Sequence, residues 1–64
     1  MKRRKLLQHL ERNGGQLVRE GARHTIYVNS LTGRRTAVPR HPEIKANLVR
    51  KICRDLRIPP PTEK

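Results

Sequence analysis

Side chains with chemistry to offer are few in this chain: three histidines, one cysteine and five acids among 64 residues. His24 stands in the most informative surroundings. It follows Gly21-Ala22-Arg23 and precedes Thr25, Ile26, Tyr27 and Val28. Gly21 can take backbone angles closed to other residues, and the four residues after the histidine are types that favour a pleated strand. The spacing therefore sets an imidazole at the mouth of a β-strand with the Arg23 guanidinium beside it. An unperturbed imidazole, titrating near ~6.5, suits a general base. RNA carries its own nucleophile, the ribose 2′-hydroxyl. Its cleavage needs a base for that hydroxyl, an acid for the leaving oxygen, and cations around the phosphate. The commoner role for a strand-end histidine is a hydrogen bond to backbone, and residue type alone leaves both roles open.

The other candidates are weaker. His41, between Arg40 and Pro42, reads as a structural loop residue or as a second acid or base. His9 reads as a boundary residue on the flank of an apolar helix face. Cys53 reads as a small apolar filler. A lone cysteine can form neither an internal disulfide nor a cysteine zinc cluster, which fits a reducing cytoplasm. Three scattered histidines and five scattered acids offer no pair at ligand spacing, so neither metal nor other cofactor is expected.

Sixteen Lys and Arg against five Asp and Glu give a formal net charge of +11. A chain so basic should hold a polyanion: nucleic acid, an anionic membrane surface or an acidic protein. The membrane is the poorest of the three, because there is no Trp or Phe to insert. Leu6-Leu7 is followed at once by Gln8-His9, too short an apolar run for a signal peptide or a span. The expected location is cytoplasmic. Lys2, Arg3, Arg4 and Lys5 put positive charge at the positive end of a helix dipole, where acids would be stabilising, so an anion-binding role competes there with a frayed terminus. Arg19, Arg23, Arg34, Arg35 and Arg40 are further candidates for phosphate.

The elements that must position these groups follow from periodicity. Leu6, Leu7 and Leu10 mark a helix over about Lys2 to Asn13, stopped at Asn13-Gly14. A short strand is expected over Gln16 to Glu20, a second from His24 to Asn29, and a third over Arg34 to Val38, with Ser30 to Gly33 as hairpin loop and Pro39 as stop. Alternation in the second strand pairs His24 with Ile26 and Val28 on one face and Thr25 with Tyr27 and Asn29 on the other. On hydrophobicity, Ile26 and Val28 should face the core, leaving Thr25 and Tyr27 to solvent or a partner. A turn over Glu43 to Ala46 leads to a second helix from about Leu48 to Leu56, with Asn47 as a candidate cap. Its stripe is Leu48, Val49, Ile52 and Leu56, and Arg50, Lys51, Arg54 and Arg57 lie elsewhere on it. Ile58 should dock. The fold class is thus α+β, in the order α-β-β-β-α, a three-stranded antiparallel sheet with both helices on one face. Residues 1–58 form one domain and 59–64 a proline-rich tail.

Over Lys2 to Ile58 the chain resembles the HicA family of bacterial toxins. Four segments carry the likeness: the basic start with Leu6-Leu7 and Leu10; the Gly21-x-x-His24 turn into Ile26 and Tyr27; Val38-Pro39-Arg40-His41 with Glu43-Ile44-Lys45; and Leu48, Ile52 and Leu56-x-Ile58 at the close. The resemblance implies a double-stranded-RNA-binding-domain-like fold and a toxin that cleaves messenger RNA without metal. It also implies a HicB-like antitoxin that neutralises the toxin in a hetero-oligomer. His24 matches the catalytic histidine. Lys2 to Lys5, Arg23, Arg40, Arg50, Lys51 and Arg54 are then the expected RNA contacts, with Gly21, Tyr27 and His41 as secondary site residues. A non-catalytic RNA-binding module of the same fold is the alternative, and it has no need of a titrating group at His24.

Overall fold

The computed structural model of the protein describes residues 1–61. The leucine spacing closes into helix α1 (Arg3–Arg12), with Leu6 and Leu10, four residues apart, fully buried. The Asn13 side chain ends it by donating to the His9 carbonyl at 2.8 Å. Strand β1 (Gly15–Glu20) begins directly beneath. A Cβ at Gly15 would stand 2.8 Å from the Leu10 carbonyl oxygen, so a glycine is what lets the strand leave so close under the helix.

Strands β2 (His24–Asn29) and β3 (Arg35–Pro39) complete an antiparallel sheet in the order β1-β2-β3. His24 lies opposite Pro39 and Val28 opposite Arg35, while Tyr27 lies between Leu17 and Thr36. A register shift between Leu17 and Arg19 bulges β1, and its Leu17 and Val18 are exposed. Helix α2 (Ala46–Asp55) then packs against β3, on the same face of the sheet as α1. The two helices bury Leu6, Leu10, Val49, Ile52 and Cys53 with Tyr27 and Val38 of the sheet and with Ile44, Leu56 and Ile58 of the connections. The expected α-β-β-β-α order and fold class hold, as does the docking of Ile58. Among the described residues no helix is long and apolar enough to cross a membrane.

The faces of β2 are the reverse of the expectation. Thr25, Tyr27 and Asn29 are the buried residues, at 2%, 3% and 2% exposure, whereas Ile26 and Val28 are only half-buried on the open face with His24. Each buried polar tip has a partner. Thr25 Oγ1 accepts from Arg3 Nη2 at 2.7 Å, Tyr27 OH donates to Glu11 Oε2 at 3.0 Å, and Asn29 Nδ2 donates to the Leu56 carbonyl at 2.6 Å. A buried polar group costs stability only when it goes unpaired. Satisfied in this way, the larger Tyr27 ring wins the interior.

Three smaller differences concern ends. Helix α2 starts at Ala46, two residues early, with Lys45 as its cap and Asn47 inside its first turn. Its start is set by an isolated bridge between Lys2 and Glu43 and by Ile44 N–H donating to the Met1 carbonyl at 2.8 Å, which deliver the chain to the helix. Pro39 belongs to β3 as its last residue, on an edge strand where a missing N–H is tolerated. The tail begins docked, since His9 Nε2 meets the Pro59 carbonyl at 2.6 Å; residues 62–64 of the expected tail lie outside the described residues.

Helix α2 closes through paired bonds, Ile58 N–H to the Cys53 carbonyl at 2.8 Å and Arg57 N–H to the Arg54 carbonyl at 3.1 Å. This closure requires a left-handed residue between helix and docked Ile58, and glycine is the usual occupant. Here it is Arg57, at φ 59°, which costs about 1 kcal/mol relative to glycine.

Candidate functional site

The turn from β1 to β2 is closed by Gly21 N–H donating to the His24 carbonyl at 2.8 Å. A Cβ on Gly21 would come within 3.0 Å of that same oxygen, which explains the glycine three residues before the histidine. The turn is clamped from across the sheet. Arg40 Nη1 donates to the Gly21 carbonyl at 2.6 Å and Nη2 to Glu20 Oε1 at 2.9 Å. Both charged partners are exposed, so the pair adds little to stability, but its two-pronged geometry fixes where the turn sits.

The register of β2 against β3 sets His24 opposite Pro39, and the chain continues through Arg40 to His41. Arg23, His24, Pro39, Arg40 and His41 consequently line one surface depression of about 410 Å³. His24, Arg23 and His41 are all exposed there. Two imidazoles and an uncommitted guanidinium at one opening can accept a proton, donate one and neutralise an anion. Behind the depression, Arg3 reaches out of α1 to the Pro39 carbonyl, Nε to O 2.9 Å, and to Thr25 Oγ1. It ties the helix to the two strand residues that flank the histidine pair.

The structure thus divides the basic residues expected to meet RNA. Arg23 and Arg40 stand at the depression, Arg40 as its clamp. Lys2, Arg4 and Lys5 are exposed on or beside the first turn of α1, but Arg3 is turned inward and its bonds are made. Arg50 lies beside Met1, Pro60 and Pro61. Lys51 is paired with Asp55 at 2.9 Å. Arg54 stands with Gly33, Arg34, Arg35 and Arg57, away from His24. The α2 residues are not gathered at the histidine. Sequence reading missed the inward role of Arg3 because its partners are 22 and 36 residues away, and no local signal marks it.

Tyr27 is a core residue. Burial, followed by the hydrogen bond to Glu11, pushes its phenol up to about 12. Burial likewise raises the Cys53 thiol, as fits a filler. The Lys51 ammonium, and after it the Thr36 hydroxyl at 3.1 Å, hold the Asp55 carboxyl below its ordinary range. That carboxylate joins α2 to β3. Among the described residues, no three His, Cys, Asp or Glu side chains gather at one point.

Comparison with known proteins gives one family model, described as the HicA toxin of bacterial toxin-antitoxin systems, which matches residues 3–58. No significant match is found among curated proteins or solved structures. The matched span runs from the first residue of α1 through the docked Ile58, taking in the whole described fold and both histidines of the depression. It leaves out only the proline tail and two N-terminal residues, and on that coverage the chain belongs to the HicA family of toxins of bacterial toxin-antitoxin systems.

Proposed function

We propose that this toxin is a cytoplasmic endoribonuclease that cleaves messenger RNA with little sequence preference, that His24 is its general base, and that a HicB-type antitoxin neutralises it. The observation that carries the reading is the pairing of exposed His24 with His41 and Arg23 at one depression. His24 takes the proton of a ribose 2′-hydroxyl. The freed oxygen attacks the adjacent phosphorus, and the P–O5′ bond breaks. His41 returns a proton to the departing 5′-oxygen, leaving a 2′,3′-cyclic phosphate on one product. Arg23 faces the charge that grows on the phosphoryl oxygens, while Arg40 and Gly21 hold the turn. No step draws on a metal. The antitoxin and the RNA compete for the surface around His24.

The test is cleavage of a defined RNA and of the same sequence in DNA, with EDTA present, by the wild-type chain and by His24→Ala. His24 is exposed, so its truncation should cost less than about 0.5 kcal/mol of stability. The variant should fold, bind RNA and cut nothing. Cleavage by the folded variant, cleavage of the DNA, or loss of wild-type activity on chelation would each reject the scheme. Tight RNA binding without cleavage by the wild type would make the chain a binding module.

A further inference from the structure

A second concentration of charge sits at the opposite end of β2 from His24. Arg34 of the β2–β3 connection, Arg35 at the start of β3, Arg54 of α2 and Arg57 of its closure line one depression with Gly33 and Asp55. All four arginines are exposed. Asp55, the acid among the lining residues, already has Oδ2 engaged by Lys51 and Thr36. Among the described residues none of the four arginines makes an ion pair with a carboxylate. Four guanidinium groups beside a single carboxylate, itself bonded to Lys51 and Thr36, leave an excess of positive charge that repels itself. Arg57 sharpens the point, because it occupies the left-handed position at φ 59° where glycine would relieve both strain and repulsion.

We infer that this four-arginine depression is a second phosphate-backbone site, holding single-stranded RNA more than one phosphodiester step away from the bond cut at His24. The inference rests on the nuclease reading above. Guanidinium forks suit phosphate oxygens, and Arg35 links the depression to the uncovered face of the sheet. His24, Ile26 and Val28 share the uncovered face of the sheet, and Arg35 lies opposite Val28. Val28 lies four residue steps along the strand from His24, roughly 13 Å at the usual rise. One phosphodiester step is shorter than this span, so only a strand longer than a dinucleotide can reach both sites. The half-buried apolar row between them has no aromatic on which to stack a base. The site therefore grips backbone and does not select sequence.

The test compares the wild type with the triple variant Arg34→Gln, Arg35→Gln, Arg57→Gly on two substrates. One is a long unstructured RNA with 2′-O-methyl sugars, which binds without being cut. The other is a ribodinucleotide, which fills the His24 site and cannot reach the second. Each lost contact on a single strand should lower the slope of log affinity against log salt by about 0.7, so the triple variant should lose about 2. Its cleavage of the dinucleotide should match wild type. An unchanged slope on the long RNA overturns the site. So does an unchanged slope with weakened antitoxin binding, which would assign the cluster to the protein partner. A wild-type chain that binds the long RNA with no salt dependence overturns this site while leaving His24 cleavage standing, whereas failure of the wild type to cut any RNA removes the nuclease reading itself.

Discussion

Replacing Arg3 should destabilise the toxin far more than replacing any neighbouring basic residue. Arg3 makes two charge-assisted bonds, to the Pro39 carbonyl at 2.9 Å and to Thr25 Oγ1 at 2.7 Å, and Thr25 is 2% exposed. Hydrogen bonds to charged groups contribute about 1.5–3 kcal/mol each, and partial exposure of the guanidinium puts these two at the lower end. Arg3→Ala should therefore cost about 3 kcal/mol. A 64-residue domain at roughly 0.05–0.15 kcal/mol per residue has only ~3–10 kcal/mol in total. Arg3→Lys keeps the charge but not the two-pronged reach and should lose about half as much. Exposed Arg4→Ala should stay within about 0.5 kcal/mol. The assay is urea denaturation followed by far-ultraviolet circular dichroism, since the chain has no tryptophan. With a slope near ~1 kcal/mol/M for so small a protein, the Arg3→Ala midpoint should fall by about 3 M, or the variant should not fold at all. A folded Arg3→Ala with a midpoint close to that of Arg4→Ala would refute the clamp and return Arg3 to the set of free cations.

Other outcomes follow from the same geometry. Tyr27 is the single tyrosine, so phenolate absorbance reports it alone and should not appear until about pH 12 or until the chain unfolds. Its folded value lies above the ordinary 10.0, so the linked stability is complete below pH 10 and drains as pH rises toward 12; a phenol titrating normally in the folded protein would contradict its burial against Glu11. For Asp55 the sign is opposite. Its folded value lies below the ordinary 3.8, so the stability it lends is present above that pH and is lost as pH falls through the depressed value. Asp55→Asn should be less stable near neutrality and flatter between pH 5 and 3, and an acid limb as steep as wild type would discount the contact with Lys51 and Thr36. Titrating the toxin–antitoxin complex with non-cleavable RNA should release antitoxin in proportion, and a stable ternary complex with His24 still open to a histidine-modifying reagent would end the competition model.

The elements were legible because their signals are local. Leucine spacing marks α1, β-branched runs mark the strands, and Gly21-x-x-His24 marks the turn that the structure closes with a Gly21–His24 backbone bond. The inward face of β2 was not legible. Hydrophobicity ranks Ile26 and Val28 above Thr25 and Asn29, and what reverses the ranking is a set of partners 22, 16 and 27 residues away, at Arg3, Glu11 and Leu56. The early start of α2 depends on a bridge between Lys2 and Glu43, which is equally non-local. At the site, proximity of His41 to His24 required the register of two strands. The grouping of Arg34 and Arg35 with Arg54 and Arg57 required the packing of α2 on β3.

Strand β2 divides its residues by parity. Positions 25, 27 and 29 are bonded into the interior, and positions 24, 26 and 28 look outward. Substitutions on the two sets fall under different selection. Changes at the inward positions are judged by whether the chain folds. Outward changes disturb folding less, least of all at exposed His24, and are judged also by what the surface meets. On the proposed reading His24 is held by its chemistry, which leaves Ile26 and Val28 as the outward positions of this strand that can change with whatever the open face meets.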